Sequence, residues 1–145
     1  MLAENTVLTG RRAITRSYAK INLTLDVLSK RENGYHDIKM IMQTVSLFDL
    51  ILVDKTHRGI SISTNLPYLP CNEKNIAYKA ADAFFKATGI RGGAKIVIHK
   101  NIPVAAGLAG GSGNCAAVLT AMNMLHGNPL SNDELMHIGA SLGAD

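Results

Sequence analysis

A glycine-rich segment between a predicted strand and a predicted helix carries the clearest chemistry of this 145-residue sequence. Four glycines within seven residues let the backbone adopt positive φ and let a ligand approach the bare main chain. The first N–H groups of the helix that follows have no partner within it and attract anions. We interpret the segment as a phosphate site, with a merely tight turn as the alternative. This glycine loop consists of Pro103, Val104, Ala105, Ala106, Gly107, Leu108, Ala109, Gly110, Gly111, Ser112 and Gly113.

The spacing of the glycine loop differs from two common phosphate-binding motifs. No Lys follows the glycines as it does in the P-loop, and the spacing does not match the G-x-G-x-x-G fingerprint of dinucleotide-binding proteins. The hydroxyl of Ser112 either contacts a phosphate or a magnesium ion, or caps the following helix. The loop alone therefore predicts an anion site without identifying the ligand.

The other polar residues of interest indicate no function when each is considered alone. Strict alternation from Ala19 to Val27 predicts a half-buried strand, with Lys20 and Asn22 side by side on its polar face. By composition alone, Lys20 is a solvated charge and Asp145, after Leu-Gly-Ala, is a turn residue. A Tyr-His pair that follows a Gly in a polar turn is equally unremarkable alone.

Three blocks together resemble the GHMP kinases, the superfamily of galactokinase and of homoserine, mevalonate and phosphomevalonate kinases. They are Ala19-Lys20-Ile21-Asn22-Leu23 followed by Arg31-Glu32-Asn33-Gly34-Tyr35-His36, the glycine loop, and the closing Leu142-Gly143-Ala144-Asp145. Their order and spacing are similar to the branch that phosphorylates the 2-hydroxyl of 4-CDP-2-C-methyl-D-erythritol, a precursor of isoprenoids. The sequence departs from the usual pattern at Ala109, where Gly is common, and at Gly113-Asn114-Cys115, where Ser-Asn-Ala is common.

The resemblance implies roles for individual residues. Asp145 would take the proton from the substrate hydroxyl. Lys20 would orient the Asp145 carboxylate and stabilise charge on the transferred phosphoryl group. Asn22 would contact the substrate beside Lys20. Tyr35 would stack on the cytosine ring and His36 would hydrogen-bond to it. This pair separates the branch from mevalonate and homoserine kinases, whose substrates contain no cytosine.

The same resemblance implies ATP as the phosphate donor, with Mg²⁺. Asn75 and Lys100 would lie with Pro103 near the adenine and ribose, and the rest of the glycine loop would hold the phosphates. No residue is assigned as a metal ligand. Two alternatives stay open: another GHMP kinase of small molecules, and an RNA-binding module, because the ribosomal protein S5 shares the fold that the resemblance implies.

The composition of the chain favours some classes of ligand over others. A net charge of +4 suits an anionic small molecule, whereas 5% aromatic residues and no Lys/Arg-rich run argue against nucleic acid. No apolar run approaches 18 residues, so no membrane span is expected. Cys71 and Cys115 lack metal-ligand spacing, so we expect small buried or half-buried thiols in a reducing cytoplasm. Nothing in the composition predicts an oligomeric state.

The pattern of elements predicts an α+β fold with helices on one face of a sheet. The resemblance implies a domain like the second domain of ribosomal protein S5, with a mixed sheet and a left-handed crossover. We expect residues 1–16 to be a loosely ordered extension and residues 17–145 to form the domain. Family members are longer, so we expect an N-terminal half that lacks the C-terminal domain and is inactive alone. Predicted elements are strands at 19–27, at 38–53 as two strands meeting near 46–49, at 59–64 and at 94–99, and helices at 75–88, 112–125 and from 131 to about 142.

Overall fold

One mixed sheet with three helices makes up the computed structural model, which describes residues 3–143. The strands run in the order β1-β2-β3-β5-β4, and only β4 and β5 are parallel. This mixed α+β arrangement confirms the predicted fold class. The elements are a short 3-10 helix (Ala3–Asn5), β1 (Thr6–Thr9), β2 (Arg12–Lys30), β3 (His36–Thr56), β4 (Gly59–Thr64), α1 (Ile76–Thr88), β5 (Gly93–His99), α2 (Gly110–Leu125) and α3 (Asn132–Ser141).

The core lies between the helices and one face of the sheet. Alternate residues of β2 from Ala13 to Ala19 are buried, while the residues between them are exposed or half-buried. Helix α1 crosses over between the parallel strands β4 and β5, and α2 packs on β2 and β3. The largest fully buried apolar side chains are Phe84, Ile51, Ile96, Ile98, Ile102, Leu119, Met122, Val53 and Val118.

Both ends of α1 and the start of α3 follow capping signals of the sequence. Asn75 caps α1 by accepting a hydrogen bond from the Ala77 N–H, and Gly89 ends it with φ of 68°. Ser131 caps α3 through the Glu134 N–H, as its spacing to that residue predicted. No helix within residues 3–143 is both long and apolar enough to cross a membrane.

The N-terminal residues differ from the expected loose extension. Strand β1 pairs with the start of β2, where Thr6 lies opposite Thr15. Both threonines are buried, and the Thr6 hydroxyl donates to the Thr15 hydroxyl at 2.8 Å. The sheet therefore begins ahead of residue 17, because β1 supplies its edge strand.

Strands β2 and β3 continue past the helices as a two-stranded ribbon, formed by residues 21–30 and 36–47. The predicted half-burial of β2 is wrong here, since Leu23, Leu25 and Val27 are each more than half exposed. The expected two strands are instead the single strand β3, and near 46–49 only its pairing with β2 shifts in register, from Phe48 opposite Tyr18 to Thr44 opposite Lys20. Register shifts between Tyr18 and Lys20, Asn22 and Thr24, and Val27 and Ser29 interrupt the strict alternation.

Candidate nucleotide-binding site

An open cavity of about 460 Å³ lies beside the glycine loop and the first turns of α1 and α2. Every residue that the sequence assigned to ATP lines it except Gly113: the loop from Pro103 to Ser112, Asn75 and Lys100. The structure thus brings together positions that lie up to 37 residues apart in sequence, from 75 to 112. The cavity is also lined by Leu69, Pro70, Lys74, Ile76, Ile98, Asn114 and Gly143.

The backbone of the glycine loop turns through left-handed conformations to begin α2. Ala105, Gly107 and Ala109 have φ of 58°, 72° and 60°. Ala109 is the N-cap of α2 but makes no side-chain capping bond. Because the first intrahelical bond runs from the Gly113 N–H to the Ala109 carbonyl, the N–H groups of residues 110–112 have no partner within the helix. The loop therefore ends in a set of donors and a positive helix end beside the cavity.

The Ser112 hydroxyl is already engaged. It donates to the Ala109 carbonyl at 3.3 Å from within the first turn of α2. The alternative in which Ser112 is the N-cap is therefore wrong, since Ala109 occupies that position. A hydroxyl that only satisfies a nearby carbonyl can exchange that bond for a ligand at small cost.

The three glycines at the start of α2 have different surroundings. A Cβ at Gly111 would meet nothing within 4 Å, so this position opens to free space. A Cβ at Gly110 would lie 3.1 Å from Ile102 Cγ2 and 3.2 Å from Lys100 Nζ. A Cβ at Gly113 would lie 2.6 Å from Ser17 Oγ, so Gly113 faces β2 rather than the cavity. Of these three glycines, Gly111 alone combines open space with a place on the cavity wall.

Lys20 lies next to the glycine loop. Its backbone N–H donates to the Leu108 carbonyl at 3.1 Å, and its side chain is exposed. Asn22 is exposed on the same strand, opposite Met42. The predicted catalytic Asp145 lies outside the described residues, but Gly143, two positions before it, lines the cavity.

Tyr35 and His36 lie at the far end of the ribbon and do not line the cavity. Tyr35 is 73% exposed. Along β2, ten positions separate Lys20 from Lys30, the partner of His36, which is roughly 33 Å for a straight strand. The structure therefore does not bring this pair to the glycine loop.

Beneath the loop lies a buried carboxylate that the sequence analysis missed. Asp49 is fully buried in β3, and its Oδ2 lies 2.5 Å from Lys100 Nζ. Its Oδ1 accepts from the N–H groups of Asn101 at 2.7 Å and Ile102 at 2.8 Å. The available signal was a single acid among apolar neighbours in Leu-Phe-Asp-Leu-Ile, at a position whose neighbours predict burial.

Asn114 joins this carboxylate to the start of α2. In the amide orientation that satisfies both ends, its Nδ2 donates to Asp49 Oδ2 at 3.0 Å and to the Gly110 carbonyl at 3.2 Å. Its Oδ1 then accepts from Lys100 Nζ at 3.1 Å. Asp49, Lys100 and Asn114, called here the buried triad, therefore connect β3, the end of β5 and the first turn of α2.

The cysteines differ from one another. Cys115 is buried in α2, as expected, and burial raises the pKa of its thiol to about 11. Cys71 is exposed, which differs from the expectation of a buried or half-buried thiol. Within residues 3–143, no group of three or more His, Cys, Asp or Glu side chains could hold a metal ion.

Comparison with known proteins gives consistent results. The family profile described as the GHMP kinases N terminal domain matches residues 75–145. A protein of Clostridium botulinum (strain Alaska E43 / Type E3) named 4-diphosphocytidyl-2-C-methyl-D-erythritol kinase is 51% identical over 130 residues, which cover 90% of this chain and 46% of that protein. One of the same name from Caldicellulosiruptor saccharolyticus is 51% identical over 133 residues, 91% of this chain and 46% of that protein. The chain thus spans about half the length of these relatives.

Solved structures agree on the fold. A crystal structure of 4-(cytidine 5'-diphospho)-2C-methyl-D-erythritol kinase superposes with a TM-score of 0.79 at 36% identity, covering 91% of this chain and 46% of that one. Homoserine kinase from Cytophaga hutchinsonii superposes with a TM-score of 0.74 at 19% identity, covering 94% of this chain and 42% of the other. The second likeness concerns the fold alone.

Proposed function

Because the chain belongs to the GHMP kinases through the N-terminal domain of that family, we propose that it forms the ATP-binding part of a kinase for 4-CDP-2-C-methyl-D-erythritol. The reaction transfers the γ-phosphoryl group of ATP to the 2-hydroxyl of that substrate and releases ADP. The observation that carries the proposal is the glycine loop, whose free N–H groups face a cavity and whose Leu108 carbonyl binds the Lys20 N–H. The name shared by relatives near 50% identity supports the choice of substrate.

In this proposal the cavity holds ATP. The unpaired N–H groups at the start of α2 bind the phosphates, because anions are stabilised at a helix N-terminus. Open space at Gly111 lets a phosphate approach the main chain. The base and ribose lie toward Asn75, where Pro70 and Ile76 offer apolar surface. Lys100, which the resemblance grouped with them, has its Nζ beside Gly110 at the start of α2, so we assign it to the phosphate end. The Asn75 side chain is committed to capping α1, so this residue serves as a wall more than as a hydrogen-bonding partner.

In this proposal Lys20 and Asp145 both act on the acceptor hydroxyl. Asp145 takes the hydroxyl proton as the oxygen attacks the γ-phosphorus, and the bond to the β,γ-bridging oxygen breaks to release ADP. The Lys20 ammonium stabilises the charge on the transferred group. Its exposed side chain beside the glycine loop supports this role, and Asn22 is a further contact on the same strand. The Ser112 hydroxyl would help to hold a magnesium ion on the ATP phosphates, where the ion would neutralise charge on the transferred group.

The cytidine end of the substrate binds Tyr35 and His36 in this proposal. The exposed Tyr35 ring offers a free face for stacking. The three register shifts in β2 are the points at which the ribbon can curve toward the cavity, since bulges bend a strand. We place the protein in the cytoplasm, where free cysteines such as Cys71 and Cys115 remain reduced.

Two measurements test the proposal. Isothermal titration calorimetry of the chain should detect ATP–Mg and CDP as separate ligands that bind together. Joining the chain to the remaining half of the Clostridium botulinum relative should give ADP formation that depends on 4-CDP-2-C-methyl-D-erythritol, and Lys20→Met should reduce its kcat by orders of magnitude. A chain that binds neither nucleotide, or a joined protein that phosphorylates homoserine or mevalonate instead, would contradict it.

A further inference from the structure

The buried triad differs from the rest of the core. Asp49 is fully buried, and the side chains of Lys100 and Asp49 are 5% and 0% exposed. A buried charge is costly unless it is paired and hydrogen-bonded, and the Asp49 carboxylate accepts from two backbone N–H groups, an ammonium and an amide. Nothing in the chemistry assigned to Lys20 or Asp145 uses this arrangement.

The position of the triad relates it to the phosphate end of the cavity. The two N–H groups that Asp49 accepts belong to Asn101 and Ile102, immediately before the glycine loop. The Ile102 side chain in turn lies 3.1 Å from the Cβ position of Gly110. At the other end of the loop, Asn114 holds the Gly110 carbonyl. Both ends of the glycine loop are therefore fixed to one carboxylate.

The triad also sets the place of a cation. Lys100 Nζ lies 3.2 Å from the Cβ position of Gly110, directly below the first turn of α2. Asp49 and Asn114 hold it there from the side of the sheet. The glycine loop lacks the lysine that follows the glycines of a P-loop, and the ammonium of Lys100 reaches the same region from the preceding strand.

We propose that Asp49 is a positioning residue for the phosphates of the bound nucleotide, acting through the glycine loop and the Lys100 ammonium. The inference rests on the proposed function, because it assumes that the cavity binds a nucleoside triphosphate. Asp49 does not touch the nucleotide. It fixes the direction of the loop backbone, so that the N–H groups of residues 110–112 point at the phosphates without rearrangement.

The test compares ligands that differ only in their phosphates. Calorimetry or competition titration gives the affinity of the chain for ATP and for adenosine, and the ratio measures the contribution of the phosphates. In Asp49→Asn the carboxylate is lost at almost constant size, and we expect the ratio to fall about tenfold or more while adenosine affinity changes less than about twofold. General loss of stability would weaken both ligands together.

A matched control lies at the other end of α2. Asn123 is also a buried amide, and it holds the N–H and carbonyl of Leu130 at 2.9 Å each. Asn123→Ala should lower stability as a core substitution does and leave the ratio unchanged. If Asp49→Asn does not fold, Asn114→Ala decides, since it keeps the ion pair and releases the Gly110 carbonyl; the ratio should again fall.

The outcomes separate the two proposals. If the unaltered chain prefers ATP over adenosine and both Asp49→Asn and Asn114→Ala keep that preference, the positioning role is wrong while the nucleotide site stands. If the unaltered chain shows no preference for ATP, the nucleotide site is wrong and the positioning role fails with it. An equal fall of the ATP-to-adenosine affinity ratio in Asn123→Ala would also overturn the positioning role of Asp49, because the fall would then reflect lost stability alone.

Discussion

Gly113 and Ser17 face each other across the contact between α2 and β2. A Cβ at residue 113 would lie 2.6 Å from Ser17 Oγ, a distance that real Cβ atoms do not adopt. The Ser17 side chain is buried, and its hydroxyl has no partner within the described residues. The glycine at 113 is therefore matched to the serine on β2, and a Cβ at this position would force the Ser17 hydroxyl to move.

We predict that Gly113→Ala destabilises the chain by about 1–3 kcal/mol, because it overpacks this contact. Ser17→Gly should remove the clash and recover most of the loss when the two are combined. Urea denaturation of the two single variants and the double variant gives the coupling energy. Additive effects of the two substitutions would mean that the residues do not interact.

Gly111→Val should leave the fold intact and abolish ATP binding. The Cβ meets open space, so the protein tolerates it, whereas a phosphate near the main chain would not. Gly110→Val is the informative contrast: its Cβ would press on Ile102 and Lys100, so stability should fall as well. Circular dichroism and calorimetry with ATP–Mg measure the two properties, and full ATP affinity in Gly111→Val would contradict the phosphate site.

Tyr35→Ala should weaken CDP binding and leave ATP affinity unchanged. The ring is 73% exposed at the end of the ribbon, so its removal does not disturb the core. Stacking on a base contributes about 1–3 kcal/mol, which is roughly tenfold to a hundredfold in affinity. Tyr68, which is 70% exposed, provides a control tyrosine. Equal losses for CDP and ATP would show that Tyr35 is structural.

His126 should make the stability depend on pH. Burial, followed by the charge of Lys55, lowers the pKa of His126 below its usual value of 6.5. Its Nε2 is buried without a hydrogen-bond partner among residues 3–143, and its ring lies beside Phe84 and Phe85. Because the folded pKa is the lower one, the unfolded chain binds the proton first, so stability is complete above pH 6.5 and falls as pH decreases from there through the folded pKa.

Urea denaturation between pH 8 and pH 5 measures this effect. His126→Phe should remove the part of the pH dependence that falls below pH 6.5, since a phenyl ring cannot be protonated. His57, which is exposed, provides the matched control. An unchanged profile in His126→Phe would assign the effect to other groups.

Sequence predicted the elements well where local chemistry decides them. The caps at Asn75, Gly89 and Ser131 are local hydrogen bonds or a left-handed backbone, so the residue type alone indicates the helix end. Helix α2 begins at Gly110, two residues before the predicted Ser112, because Ala109 caps it through its backbone conformation and without a polar side chain.

Features that depend on distant contacts were not predictable. Alternation along β2 indicates which residues share a face, but burial requires an element that covers that face, and Leu25 in the ribbon is 51% exposed. Likewise, Asp49 and Lys100 meet only because β3 and β5 are neighbours, 51 residues apart in sequence. Sequence motifs therefore predicted the residues that line the cavity, but not the buried Asp49 that holds the glycine loop in place.

At Lys20 the backbone holds β2 to the glycine loop, and the side chain separately carries the charge proposed for catalysis. The bond to Leu108 is made by the backbone N–H, so any residue except proline would keep β2 attached to the glycine loop. The side chain at this position is therefore not constrained by architecture. Enzymes built on this domain can therefore diverge in the side chain at position 20 while the spacing between β2 and the glycine loop stays the same.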